Sequence, residues 1–179
     1  MHAEGFSRCW EDHASAPPKV FLDLGSGGGL PGLVLLEHWA TKAILVDSMK
    51  KRMRLLDEVL TWSDAPTGAQ LILGRAEEVA REPRLTGVAD LVTARSFGPP
   101  AVTAECAARF LKIGGFLVVS EPPDDQVPSR WNSDALATLG LEARGRVRHG
   151  AAFQVLIKSK PTPRRFPREV GVPGKAPLF

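Results

Sequence analysis

At 179 residues, 44% of them hydrophobic and 24% charged, the chain is long enough for one domain with a substantial core and too short for two in most architectures. No apolar run approaches the roughly 20 residues of a membrane span, and the opening Met1-His2-Ala3-Glu4-Gly5-Phe6-Ser7-Arg8 lacks the apolar stretch of a secretory leader, which points to a cytoplasmic protein. The formal net charge of +3 is compatible with a polyanionic partner without requiring one, and the two cysteines, Cys9 and Cys106, lack the spacing of metal ligands or a disulfide framework.

Residues 1–18 read as a lead-in, a short helix or a frayed segment, with Trp10 and His13 among its few anchors. From Val20, short apolar runs alternate with longer stretches of helical spacing, the pattern of a βαβ series around a parallel sheet. Strands are predicted at Val20–Leu24, Ala43–Val46, Leu71–Leu73, Asp90–Ala94 and Phe116–Ser120, mostly unbroken apolar runs, as expected where helices cover both faces. Helices are predicted between them at Gly32–Trp39, Lys50–Thr61, Ala76–Arg81 and Ala101–Leu111. In the second, Met49, Met53, Leu56 and Leu60 make the apolar stripe. Lys50, Lys51, Arg52 and Arg54 spread over the rest, as a solvated face or as an RNA-contacting patch.

After a turn at Pro122-Pro123-Asp124-Asp125, the pattern predicts a short helix at Ser133–Leu139. A hairpin of Leu141–Val147 and Ala152–Ile157 follows, turning at Arg148-His149-Gly150. Residues 19–160 thus read as one α/β domain, Rossmann-like and doubly wound, its mostly parallel sheet ending in an antiparallel hairpin. Residues 161–179, with prolines at 161, 163, 167, 173 and 177, predict no regular secondary structure, only an extended or disordered arm. From Lys158, the last 22 residues carry Lys158, Lys160, Arg164, Arg165, Arg168 and Lys175 against the single acid Glu169, so the arm is basic.

The chemistry gathers at strand ends. Asp23-Leu24-Gly25-Ser26-Gly27-Gly28-Gly29 follows the first strand and leads into a helix, a turn that lets a ligand approach the backbone without meeting a Cβ. The dinucleotide register GxGxxG fails when counted from Gly25, because its third glycine falls on Leu30. Counted from Gly27 it reaches Gly32 only by starting the phosphate-facing helix at Pro31. A GxGxG turn with an acid two residues ahead suits S-adenosylmethionine instead, whose amino-acid end needs backbone amides and carbonyls and whose ammonium Asp23 can attract. Asp47, ending the second strand, is placed to accept from both ribose hydroxyls or, alternatively, to cap the next helix. The third strand ends at Gly74-Arg75-Ala76-Glu77-Glu78, where backbone groups and a carboxylate can meet an adenine edge. Arg95, ending the fourth, either faces the ligand or pairs with a structural carboxylate.

These segments together, Asp23 to Gly32, Leu45-Val46-Asp47-Ser48-Met49-Lys50-Lys51-Arg52, Gly74 to Glu78, Ala94-Arg95-Ser96-Phe97 and the closing Pro161 to Arg168 and Gly171 to Leu178, resemble the RsmG (GidB) family. That family methylates N7 of a guanine in bacterial 16S ribosomal RNA. The resemblance implies the class I S-adenosylmethionine-dependent methyltransferase fold. It implies S-adenosyl-L-methionine as cofactor, held by Asp23, Gly25, Ser26, Gly27, Leu30, Asp47, Ser48, Ala76, Glu77 and Arg95, no metal, and ribosomal RNA or the small ribosomal subunit as partner.

Two departures accompany it. The N-terminal portion is shorter than is usual in the family, and the lysine that ends the family's fifth strand is replaced in Ser120-Glu121-Pro122-Pro123. Substrate-side candidates are therefore Arg95, Arg75, Phe97 and Glu121, with Phe97 as a stacking plane for an unstacked base or as core. Guanine N7 carries a lone pair and no proton at neutral pH, so no general base is required. His38 and His149, without an acid at catalytic spacing, read as structural or exposed. A small-molecule methyltransferase and a non-catalytic cofactor- or RNA-binding module are the alternatives.

Overall fold

The computed structural model describes residues 2–123 and 129–179. Asp124 and Asp125 of the expected turn lie outside the described residues. Seven strands among the described residues form one sheet: β1 (Val20–Leu24), β2 (Lys42–Asp47), β3 (Ala69–Leu73), β4 (Ala89–Ala94), β5 (Leu111–Glu121), β6 (Leu141–His149) and β7 (Ala151–Lys158). Their order is β3-β2-β1-β4-β5-β7-β6. The first five run parallel, and β7 lies antiparallel between β5 and β6, which is the doubly wound sheet with a terminal hairpin that the sequence predicts.

Alternation along the strands builds two cores. Phe21, Leu45, Leu91, Val118 and Val155 face one side, under α1 (His2–Glu11), α2 (Gly32–Trp39) and α3 (Lys50–Val59). Leu22, Val46, Val92, Leu117 and Leu156 face the other, under α4 (Ala76–Val79), α5 (Pro100–Ala107) and α6 (Ser133–Thr138). Met53 and Leu56 bury the stripe of α3, whereas Met49 is half exposed. The fifth strand starts five residues earlier than predicted and α5 stops short of Leu111. The cause is a register shift in the β4–β5 ladder, where Gly115 passes so close to the Asp90 carbonyl that a Cβ would lie 2.8 Å from it.

Residues 2–11 are an ordered helix rather than a frayed segment. Phe6 is fully buried edge-on to Phe153 at 4.8 Å between centroids, and Trp10 donates through Nε1 to the Ala16 carbonyl at 2.8 Å. The two histidines do find acids, across the fold instead of along the chain: His38 Nε2 lies 3.0 Å from Glu11 and His149 Nε2 2.6 Å from Asp12.

The C-terminal arm is neither disordered nor wholly irregular. It carries a short helix, α7 (Val172–Lys175), and Phe166 is buried in the second core. Glu105 of α5, fully buried, accepts from the backbone N–H of Arg168 and from both sides of its guanidinium fork at 2.7–3.2 Å. Arg81 donates to the Pro167 carbonyl and Arg109 to that of Phe166. Two of the six cations counted as a basic arm are thus committed inward, Arg168 to Glu105 and Lys158 to the Leu139 carbonyl and Thr162 Oγ1. Lys160, Arg164, Arg165 and Lys175 stay exposed.

Burial lowers the Lys158 pKa to about 8 from 10.5. The fold therefore favours the neutral amine, and this contribution is complete above pH 10.5 and lost as pH falls through about 8. At about 1.4 kcal/mol per pH unit, the window between those values is worth roughly 3 kcal/mol. In urea unfolding, the wild type is expected to gain that much on Lys158→Met between pH 8 and 10.5. A difference that does not change with pH would exclude it.

Candidate active site at the carboxyl edge of the sheet

The turn after β1 is folded back on β2. The amides of Gly25 and Ser26 both donate to the Val46 carbonyl, at 2.9 and 3.0 Å, and Ser26 Oγ donates to the Asp23 carbonyl at 2.9 Å. Gly25 has φ +74°, and a Cβ there would sit 2.8 Å from the Phe97 ring, so only glycine satisfies both the backbone and the neighbour. At Gly28 a Cβ would meet nothing within 4 Å, which leaves its backbone open to an approaching ligand.

Two carboxylates set the turn. Asp23 is buried, accepting from Thr93 Oγ1 at 2.8 Å and from the Gly32 amide at 3.1 Å. Burial pushes its pKa up to about 6, against the opposing pull of those hydrogen bonds and of Arg95. Asp47 accepts from the Gly27 amide at 2.9 Å through one oxygen and from the Met49 amide at 2.8 Å through the other. The second bond is a local one two residues along the chain, and it does not make Asp47 the helix cap: Met49 holds the N-cap position of α3, with no side-chain cap bond. The oxygen bonded to Met49 keeps a further lone pair for a hydroxyl donor, while the one bonded to Gly27 also accepts, at 3.5 Å, from Arg52.

Around this turn lie two hollows of about 210 and 440 Å³, with Gly25, Arg52 and Ser96 lining both. Asp47, Ser48, Ala76, Glu77, Arg75 and Phe97 line the smaller one, while Ser26, Gly27, Leu30 and Arg95 line the larger. Of the predicted cofactor residues, Asp23 alone lines neither; it acts through the turn it supports. Ser96 explains the division between Arg95 and Phe97. Its φ of +53° is left-handed, a conformation costing a non-glycine residue on the order of 1 kcal/mol or more, and it sends the flanking side chains into different hollows.

Arg95 pairs with no carboxylate among the described residues and faces the cleft. Glu77, nearly buried, accepts at one oxygen from Arg75 at 3.0 Å and from the Gly171 amide at 3.1 Å. Burial pushes its pKa up, but the hydrogen bonds and the Arg75 charge outweigh that, so the net direction is down and Glu77 is an anion at neutral pH.

Sequence reading missed several lining residues, His2, Arg52, Ser96, Val102 and Cys106 among them. Arg52 was hidden in a cationic run in which only one member turns inward, Ser96 carries no chemical signal, and His2 arrives from α1 by packing. Cys106 carries no metal-ligand or disulfide spacing and reaches the smaller hollow through the packing of α5. Burial, with Glu77 and Glu105 nearby, pushes its pKa far up, so it lines the cleft as a neutral thiol. Among the described residues no group of three or more His, Cys, Asp or Glu gathers as a metal site.

A family profile described as rRNA small subunit methyltransferase G, GidB, matches residues 8–126. The ribosomal RNA small subunit methyltransferase G of Leuconostoc mesenteroides is 31% identical over 180 residues, spanning 94% of this chain and 73% of that protein. The chain belongs to the GidB family. Solved structures extend the likeness of fold. The 16S rRNA (adenine(1408)-N(1))-methyltransferase of Catenulisporales acidiphilia, studied as a W203A mutant, superposes with a TM-score of 0.65 at 16% identity, covering 91% of this chain and 94% of that one. The [4+2]-cyclase SpnF reaches the same TM-score at 14% identity, covering 90% and 81%. Because a cyclase shares the architecture, the sheet alone does not assign the chemistry.

One substrate-side candidate of this GidB chain is misplaced by sequence. Glu121 lines neither hollow. Its carboxylate accepts from Trp131 Nε1 at 3.1 Å and from Arg130 at 2.9 Å, and its side chain is 8% exposed. A cation at this position would repel Arg130. The acid is a clamp on the chain leading into α6, not a charge reversal at the cleft.

Proposed function

We propose that this GidB-family protein is an S-adenosylmethionine-dependent methyltransferase that modifies N7 of a guanine in the 16S RNA of the small ribosomal subunit. The match of the GidB profile over residues 8–126 carries the reading, because every residue that lines the two hollows except His2 falls inside it. On this reading residues 19–160 are the catalytic domain, flanked by 1–18 and 161–179, and the protein works in the cytoplasm among its ribosomes. No helix of the described residues is long and apolar enough to cross a membrane.

The cleft suits the cofactor. The open backbone at Gly28, with Gly25, Ser26 and Gly27 beside it, would hold the amino-acid end, with Leu30 over it and Arg95 available to a carboxylate. Asp47, next to Ser48, has a lone pair on Oδ1 free for a ribose hydroxyl, and Ala76 with Glu77 would border the adenine. The cofactor supplies an electrophilic methyl on a sulfonium. What remains for the protein is to hold an acceptor base in line, with Phe97 and the Arg75 and Arg95 guanidiniums as planes and charges at the mouth. Such positioning is worth on the order of 7–11 kcal/mol, and an acceptor nitrogen without a proton needs no base.

Two measurements follow. Purified protein is expected to transfer labelled methyl to 16S RNA or small subunits from a strain lacking the native activity. Absence of label from a protein shown to bind cofactor would favour a small-molecule acceptor. Cofactor affinity is also expected to depend on pH. With a folded pKa of about 6, Asp23 is an anion at neutral pH and becomes neutral as pH falls through that value. Affinity for the ammonium-bearing cofactor should therefore fall between pH 7 and 5, and Asp23→Asn, which can still accept from Gly32 and donate to Thr93, should remove that step.

A further inference from the structure

Glu77 is held by a residue ninety-four positions further along the chain. The Gly171 amide reaches its Oε1 at 3.1 Å, from a left-handed backbone with φ +79° that opens α7. Three positions earlier, Arg168 closes a charge-assisted fork on Glu105, the neighbour in sequence of the lining residue Cys106. Phe166 and the half-buried Leu178 and Phe179 pack against the same core as α4 and α5. The arm therefore spans from one wall of the smaller hollow, at Glu77, to the helix that forms another, at Cys106.

We infer that the C-terminal arm is a positioning strap of the cofactor cleft: the Gly171 amide, latched by the Arg168–Glu105 pair, fixes the Glu77 carboxylate for cofactor binding. The inference rests on the function proposed above. Arg75 and Gly171 share Glu77 Oε1. Two donors on a single oxygen fix the rotamer and leave Oε2 as the oxygen to face a ligand. Losing the Gly171 donor frees the carboxylate to rotate about Oε1–Arg75 and costs affinity, not chemistry. Gly171 and Arg168 are positioning residues, since neither lines the hollows.

Coupling of this kind is reciprocal: if the strap strengthens cofactor binding, cofactor binding must tighten the strap. In the intact protein, saturating S-adenosylmethionine is expected to slow amide exchange of residues 170–176 at least tenfold, roughly, and no slowing would overturn the inference. Gly171→Pro in the full chain deletes the donor and, because proline fixes φ at about −65° where the strap holds +79°, also draws the strap away from Glu77. It is expected to raise the cofactor Kd and KM by about tenfold with kcat at saturation within about twofold, and to add nothing in a Glu77→Ala background. Equal affinity in wild type and Gly171→Pro would overturn the strap while leaving the methyltransferase reading standing; failure of the wild type to bind cofactor would overturn both.

Discussion

Gly25→Ala is expected to weaken S-adenosylmethionine binding by about thirtyfold or more, the equivalent of about 2 kcal/mol, in a protein that still folds. The methyl group meets two obstacles. The backbone sits at φ +74°, where an L-residue costs roughly 1–2 kcal/mol, and the new Cβ falls 2.8 Å from the Phe97 ring. Phe97 is half buried and can give way only toward the hollow it lines, so the strain is relieved by filling the cleft. Gly28→Ala is the contrast. Its Cβ meets nothing within 4 Å, so stability should stay within about 0.5 kcal/mol, as for uncrowded surface substitutions. Only its open approach to a ligand is then at stake. Titration calorimetry beside urea unfolding separates the two effects, and equal cofactor affinity in Gly25→Ala and wild type would rule out a cofactor bound against this turn.

Arg168→Met is expected to be the most destabilising single change in the arm. It strands the fully buried Glu105, which loses all three guanidinium hydrogen bonds and keeps only the backbone N–H. Breaking one side of a buried pair costs about 3–5 kcal/mol, and for a chain of this size each kcal/mol moves Tm by about 2–4 °C. A fall in Tm of roughly 6–20 °C should appear by calorimetry. The double variant Glu105→Met with Arg168→Met should recover most of it, because the penalty comes from the orphaned charge rather than from the lost attraction. A double variant as unstable as the single one would show that the arm's docking, and not the buried carboxylate, carries the stability.

The parts of this molecule legible in its sequence are those decided locally. Mostly unbroken apolar runs mark the parallel strands, because burial on both faces removes alternation in the inner ones, while the edge strand β3 leaves Gln70 and Leu73 exposed. The glycine turn and Asp47 stand out by residue type at strand ends. Three features were hidden for one shared reason: their determinants lie far away in sequence. The docking of 161–179 depends on Glu105, Arg81 and Glu77, none of which marks the proline-rich segment itself. The early start of β5 depends on Asp90 across the ladder, which the local pattern at Leu111–Gly115 does not mark. Glu121 reads as an acid at the cleft because its partners Arg130 and Trp131 come nine and ten positions further along the chain. His2 shows the same principle at the cleft, being brought there by α1, whose His2 and Phe6 meet the Phe153 ring edge-on.

The strand order also has a kinetic consequence. The central β1 pairs with β2 on one edge and with β4, some seventy residues later, on the other. Thr93, which donates to Asp23 beneath the glycine turn, arrives only with β4. High sequence separation between paired strands slows folding, typically into the millisecond-to-second range. A chain emerging from its own ribosome can therefore form β1, the turn and β2 early, yet Asp23 lacks its hydroxyl partner until β4 zips alongside. Cofactor competence should then appear as a late phase in refolding, after most of the secondary structure is already in place.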